Sequence, residues 1–293
     1  MREYKLVPHP VYGFLQIQPT PTSEEIQSYY LNEFYSSNLN FNDSSLEVQK
    51  KDKDWYDFCR DRVLSNLENI SQETVSGKTL LDIGCGWGEA LLFFKSKGLD
   101  CYGFDPASDA IEYGKRRGLN IVEAGLDTMR VFPNSFDIVT LFNVLEHLPD
   151  PVRVLQEIYE SVLKPGGILI IDVPNEFNTF QVAGRDIHNL HDWWIAPPAH
   201  LNYFNSTTLR NLAEGIGYDV KLIESSFPIE IFLLFGDNYV GNQELGRRCH
   251  EKRMSFEMNL AKVGKKDFLS RFYRALADLG IGRQITLYAV KPI

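Results

Sequence analysis

A parallel α/β sheet with helices on both faces is the fold class this sequence predicts, and three observations predict it. From about residue 78, short apolar runs alternate with amphipathic stretches. A glycine-rich turn, Gly84-Cys85-Gly86-Trp87-Gly88, joins one such run to a helix start. Acids close two consecutive runs, at Asp82 and Asp105. Strands that alternate with helices pair in parallel, because each crossover helix returns the chain to the same edge of the sheet.

The elements follow in order. Residues 1–75 read as a helical, polar-aromatic cap behind an opening loop rich in proline (Pro8, Pro10, Pro19, Pro21). Thr22-Ser23-Glu24-Glu25 supplies a hydroxyl cap and first-turn acids for a helix. Tyr29, Tyr30, Phe34 and Tyr35 then share one side of it. Strands are predicted over 79–83, 101–104, 121–122, 136–142 and 168–173, with helices over 89–97, 108–117 and 151–163 between them. Gly166-Gly167 reads as a turn into the fifth strand. Past residue 175 the rhythm breaks. A loop over 176–205 carries His188, His191, His200 and Trp193-Trp194, before a helix over 207–216 and a strand over 219–225. The organisation predicted is a cap over 1–75, a core over 76–235, a helical insertion over 236–280 and a final core strand within 281–293.

Composition excludes several function classes. The chain has 293 residues, 44% of them hydrophobic and 24% charged, enough for one large folded domain. Its formal net charge is -9, and its short basic groups at 115–117 and 265–266 form no stripe, which argues against a nucleic-acid partner. Cys59, Cys85, Cys101 and Cys249 make no CxxC pair and lie at no metal-ligand spacing from a histidine. Neither a disulfide framework nor a metal site is expected, and free thiols suit a reducing, cytoplasmic setting. No stretch approaches the roughly 20 apolar residues that span a bilayer, and no membrane partner is expected.

The stretch Leu80-Leu81-Asp82-Ile83-Gly84-Cys85-Gly86-Trp87-Gly88 carries the most chemistry. Glycines let a backbone turn tightly and approach a ligand, and the helix that follows presents amides and a positive dipole end. The spacing is GxGxG, not the GxGxxG of pyrophosphate-binding loops. Asp82 would repel a pyrophosphate and suits a cationic ligand. About 20 residues on, Asp105 ends the next run, where a carboxylate can accept from both hydroxyls of a ribose, and Pro106 can cover one face of an adenine. A third run ends in Asn143-Val144-Leu145-Glu146-His147-Leu148-Pro149-Asp150-Pro151, a polar loop at the edge where open α/β sheets bind ligands.

These motifs, LLDIGCGWG, GFDPAS and FDIVTLFNVLEHLPDP, in this order over roughly 78–225, resemble the class I S-adenosylmethionine-dependent methyltransferases. The resemblance implies an open, mostly parallel seven-stranded Rossmann-like sheet with an antiparallel final hairpin, and S-adenosylmethionine as cofactor. It implies that Asp82, Gly84, Cys85, Gly86 and Gly88 surround the methionine part and that Asp105 binds ribose. Asn143 and Val144 would lie near the sulfonium. Family members often place an acid after the glycine of the third strand's loop. Here Leu126 stands there, so adenine contacts fall to the backbone near Leu126, with Asp127 as second choice.

Trp193 to Phe204 resembles the PPxHxxYF segment of a broad bacterial methyltransferase group and lies where this fold keeps substrate loops. His200 is the first candidate for a general base and His147 the second; each could equally be a packed structural histidine. Glu146-His147 could take part in a metal site only if further ligands converge on it. The stretch Tyr12 to Leu15, with Pro19 and Tyr29-Tyr30, resembles the lead-in to methyltransferases that act on sugars or polyketide-like molecules, without the cysteine-rich zinc module some carry. The resemblance implies methyl transfer to a small-molecule acceptor, with a hydroxyl on a sugar, aromatic or secondary-metabolite-like compound as the leading expectation. A protein methyltransferase and a non-catalytic cofactor-binding regulator are the alternatives.

Overall fold

The computed structural model describes residues 4–22, 25, 46–126, 129 and 135–293. Two short strands, β1 (Lys5–Pro8) and β2 (Leu15–Gln18), open the chain where the sequence predicts a loop. The prolines border the antiparallel pairing and do not interrupt it: Pro8 ends β1, and Pro19 and Pro21 follow β2. The helix start expected at Thr22 shows its reciprocal cap. Thr22 Oγ1 accepts from the Glu25 amide at 3.2 Å, and Glu25 Oε2 accepts from the Thr22 amide at 2.7 Å. Tyr29, Tyr30, Phe34 and Tyr35 lie outside the described residues.

Helices α1 (Leu46–Lys51) and α2 (Lys53–Ser71) lead into the strand–helix series. It runs β3 (Thr79–Ile83), α3 (Glu89–Ser96), β4 (Asp100–Asp105), α4 (Ser108–Arg116), β5 (Asn120–Glu123) and β6 (Phe136–Phe142). Helix α5 (Pro151–Glu157) starts with Asp150 capping the Arg153 amide and closes in a π turn over Ile158–Val162. Strand β7 (Leu163–Pro174) therefore begins sooner than the apolar run suggests. Gly166-Gly167 lies inside it, beside a register shift against β6. The chain continues through α6 (Thr179–His188), β8 (Asn202–Tyr203), α7 (Ser206–Ile216), β9 (Asp219–Ser225) and the single turn α8 (Ile231–Leu234). Helices α9 (Gln243–Lys262) and α10 (Lys266–Asp278) precede β10 (Gln284–Val290).

Seven strands pair in the order β5-β4-β3-β6-β7-β10-β9. The first five run parallel, and β10 is antiparallel to both of its neighbours, as the resemblance implies. Alternation along each strand divides the apolar side chains between two faces. Leu81, Leu169, Ile171, Ile285 and Leu287 fill one core; Leu80, Ile168, Ile170 and Tyr288 fill the other.

The N-terminal helix and the C-terminal insertion meet each other. Phe58 of α2 packs with Leu269, Tyr273 and Leu276 of α10. Arg247 of α9 pairs with Asp52, and Trp55 and Tyr273 both donate to Glu257. Beneath them, Arg62 Nε donates to Glu224 Oε1 on β9 at 2.9 Å, and Asn66 donates to the Tyr288 hydroxyl on β10 at 3.2 Å. Strands β1, β2 and β8 form a second, three-stranded sheet. Among the described residues, no helix is long and apolar enough to cross a membrane.

Candidate active site

The parallel strands β3, β4, β6 and β7 all end at one edge of the sheet. After β3 the chain turns through Gly84, Gly86 and Gly88, whose φ angles of 70°, 49° and 75° lie in the left-handed region. The three glycines serve different ends. A Cβ on Gly84 would stand 2.5 Å from Val144 Cγ2, and one on Gly88 would stand 2.3 Å from Leu119 Cδ1. A Cβ on Gly86 would meet nothing within 4 Å. Gly84 and Gly88 are thus required by packing, and Gly86 keeps a space open above the loop. The amides of Gly84 and Cys85 donate to the Phe104 carbonyl, fixing the loop on β4. Cys85 is buried against Gly103, and burial pushes its thiol well above the usual range. Trp87 stacks edge-on with Tyr113 and is no part of the core.

Asp82 is 3% exposed. Its carboxyl is pushed up to about 7, mainly by burial; the Thr140 hydroxyl, donating to Oδ1 at 2.6 Å, opposes this, and nearby Asp105 adds to it. A group so placed gains from a cation. Asp105 accepts the Gly86 amide on Oδ2 and the Ala107 amide on Oδ1, each at 2.9 Å, so it also ties the glycine loop to the start of α4. Pro106 beside it is exposed, and Leu126 leans on the core. Asp127 lies outside the described residues. Asn143 takes a positive φ of 54°, and its Oδ1 accepts from Gln284 at 2.6 Å.

Beyond Val144 the chain makes a 3-10 turn, Leu145–His147, which docks on the loop before β8. The Leu201 amide donates to the Glu146 carbonyl at 2.8 Å, and Asn202 donates to the carbonyls of Leu145 and Leu148. The Ala199 carbonyl lies 2.8 Å from His147 Nδ1; a carbonyl only accepts, so that nitrogen carries the proton. His147 Nε2 then faces Glu146 Oε1 at 3.6 Å, and the rings of His147 and His200 stand edge to face at 5.0 Å. Burial pulls His147 down to about 4 and His200 to about 3, the latter helped by His147 and Arg283. Both imidazoles are neutral near pH 7. Glu146, 2% exposed, is pushed well above the carboxylate range by burial.

A methyltransferase-domain model matches residues 55–222, more than half of the chain. The chain belongs to the class I S-adenosylmethionine-dependent methyltransferases. Its cofactor is S-adenosylmethionine. The methyltransferase is 31% identical over 166 residues to a "Ubiquinone biosynthesis O-methyltransferase" of Pectobacterium carotovorum subsp. carotovorum, an alignment covering 49% of this chain and 68% of that one. It is 33% identical over 112 residues to the protein of the same name from Paraburkholderia phymatum, covering 36% of this chain and 48% of that one. The chain therefore spans between about half and two thirds of these relatives. In fold it is similar to a SAM-dependent methyltransferase of Archaeoglobus fulgidus, with a TM-score of 0.51 and 22% identity over 79% of this chain and 94% of that one. It is similar also to the [4+2]-cyclase SpnF, with a TM-score of 0.54 and 18% identity over 94% and 98% of the two chains.

The fold of the methyltransferase brings Asp82, Gly84, Gly86, Asp105 and Val144 around one loop, and His147 and His200 together beside it. Asn143 follows β6 at the same edge and accepts from Gln284 at the start of β10. His188 Nε2 donates to the Leu233 carbonyl of α8, 2.8 Å away. Sequence reasoning did not single out Thr140, whose hydroxyl opposes the rise that burial imposes on Asp82. It also passed over Glu176, Glu230 and Arg283. Both carboxylates are buried near the Arg283 guanidinium, and each has one buried oxygen with no hydrogen-bond partner. Their signal was charge placed just after an apolar strand and just before a short apolar helix.

Proposed function

We propose that this enzyme moves the methyl group of S-adenosylmethionine to a hydroxyl oxygen of a small molecule, such as a sugar, an aromatic or a secondary-metabolite-like compound. The observation that carries the reading is the meeting of His147 and His200 beside the glycine loop. Val144 touches Gly84, and Glu146-His147 follow within the next turn. The relatives named as O-methyltransferases support an oxygen acceptor.

In this reading Asp82 faces the ammonium of the methionine part, with Gly84, Cys85, Gly86 and Gly88 shaping the bend around it. Asp105 accepts from the ribose, Pro106 covers the adenine, and the backbone near Leu126 meets its edge, Asp127 being the second choice for that contact. Asn143 and Val144 border the sulfonium. S-adenosylmethionine supplies a methyl group already activated by a positive sulfur. What remains for the protein is to hold the acceptor oxygen in line at roughly 3–3.5 Å and to keep water out. The oxygen–carbon bond forms as the carbon–sulfur bond breaks, leaving S-adenosylhomocysteine, and the hydroxyl proton passes to the neutral imidazole of His200, with His147 as the second candidate base. His200 and His147 are the polar groups set toward the acceptor, and α2, α9 and α10 roof it. A methyl-transfer screen with labelled cofactor over hydroxylated metabolites tests the proposal. Product carrying an ether-linked label supports it, and label found only on nitrogen or on protein overturns it.

A further inference from the structure

Three side chains from two distant parts of the chain converge beside the glycine loop: Glu146, His147 and His200. One ligand atom from each lies within 4.8 Å of the others. We infer that they form a binding site for a divalent first-row transition metal ion, a two-histidine, one-carboxylate set that the sequence alone did not lead us to expect.

The geometry comes first. An ion held tetrahedrally at roughly 2.1 Å from each ligand sets neighbouring ligand atoms about 3.4 Å apart. Glu146 Oε1 and His147 Nε2 already stand at 3.6 Å, and the third atom needs to close by little more than 1 Å at most. Orientation comes second. The Ala199 carbonyl holds the proton of His147 on Nδ1, which leaves Nε2, the nitrogen facing Glu146, as the one bearing a lone pair. Such a backbone partner commonly fixes the tautomer and aim of a metal-binding histidine. The third point is the unmet demand of the cluster. Glu146 Oε2 and His200 Nδ1 are both buried without a hydrogen-bond partner. Burying such atoms costs free energy that a coordinated cation offsets.

The ligand chemistry narrows the ion. Two imidazoles and one carboxylate suit zinc, cobalt, manganese or ferrous iron, whereas magnesium and calcium favour all-oxygen sets. Three protein ligands leave open positions. On the reading that the acceptor carries a hydroxyl, that opening faces the acceptor side and would receive an oxygen.

The test uses tag-free, metal-stripped protein titrated with Co2+ alone and followed by visible absorption. One equivalent should bind in the wild type. Affinity should fall at least tenfold in Glu146→Gln and in His200→Gln, with Mg2+ failing to compete at equal concentration. Because a variant may misfold, the wild type loaded with Cu2+ provides a second reading. Its electron spin-echo spectrum should show two coupled imidazole nitrogens. Absence of Co2+ binding by the wild type, unchanged affinity in folded variants, or a spectrum without imidazole coupling would each overturn the inference. Titration of the same samples with S-adenosylhomocysteine keeps the two questions apart: loss of cofactor binding bears on the methyl-transfer reading, and loss of Co2+ alone bears on the metal.

Discussion

If the proposed placement of Asp82 beside the ammonium of the cofactor is right, cofactor binding should depend on pH by an amount that follows from the surroundings of Asp82. Burial raises its carboxyl from 3.8 to about 7 against the opposing hydrogen bond from Thr140. In the ligand-free protein, the native state keeps a proton that the unfolded chain releases near 3.8. Stability therefore falls as pH climbs from about 4 toward about 7, by at most about 4 kcal/mol. An ammonium set beside Asp82 favours the charged form, so binding expels that proton. From about pH 7.5 to about pH 5.5 the affinity for S-adenosylhomocysteine should then drop about 30-fold, close to tenfold for each pH unit below the carboxyl's midpoint. Calorimetry in two buffers of different ionisation enthalpy reads both the affinity and the proton released. Asp82→Asn should flatten the profile, and Thr140→Val should shift its midpoint upward. A flat wild-type profile with no proton release would refute the reasoning, because it would leave Asp82 either charged throughout or away from the cation.

Further outcomes follow from single contacts. Gly84→Ala drives a methyl to 2.5 Å from Val144 at a left-handed φ and should cost about 1–3 kcal/mol in thermal unfolding, with weaker S-adenosylhomocysteine binding. Adding Val144→Ala should recover the steric part and leave the backbone part. His200→Ala should cut turnover by at least roughly tenfold while cofactor affinity holds, as expected for a group on the acceptor side; loss of cofactor binding in that variant would contradict the role. Arg62→Leu leaves the wholly buried Glu224 without its cation and should destabilise the protein by about 3–5 kcal/mol in denaturant unfolding, and Arg62→Leu/Glu224→Leu should recover much of that.

The parts legible in the sequence are those whose physics is local. The strand ending at Asp82, the glycine bend and the acid at Asp105 lie within 24 residues of one another and announce themselves through backbone needs and spacing. The apolar runs of β3, β4, β6 and β7 and the terminal β10 were legible for the same reason, since strands covered on both faces read as short continuous hydrophobic stretches. The opening hairpin was hidden because its four prolines read as loop, although they border the paired residues. The site's acceptor side was hidden for another reason. His147 lies 52 residues before Ala199, the neighbour of His200. The two histidines meet because the 3-10 turn after β6 accepts from the Leu201 amide and the Asn202 side chain, and His147 donates to the Ala199 carbonyl in the loop before β8. That loop is in turn held by β2, which brings the Tyr12–Leu15 stretch and the PPxHxxYF segment into one small sheet. The joining of α2 with α9 and α10 was equally out of reach. It depends on buried pairs such as Asp52 with Arg247, and such charges read along the chain as ordinary surface.

Gly86 offers the most direct test of the central claim, that the bend after β3 holds the cofactor. Its Cβ direction is open and its φ is 49°, a conformation asparagine tolerates better than most residues, so Gly86→Asn should fold with only the small loss of melting temperature that the left-handed backbone imposes. The new side chain would occupy the space above the loop. S-adenosylhomocysteine should then bind at least roughly 100-fold more weakly than to the wild type, a loss of about 3 kcal/mol. Full affinity in the folded Gly86→Asn protein would place the cofactor elsewhere and contradict the account.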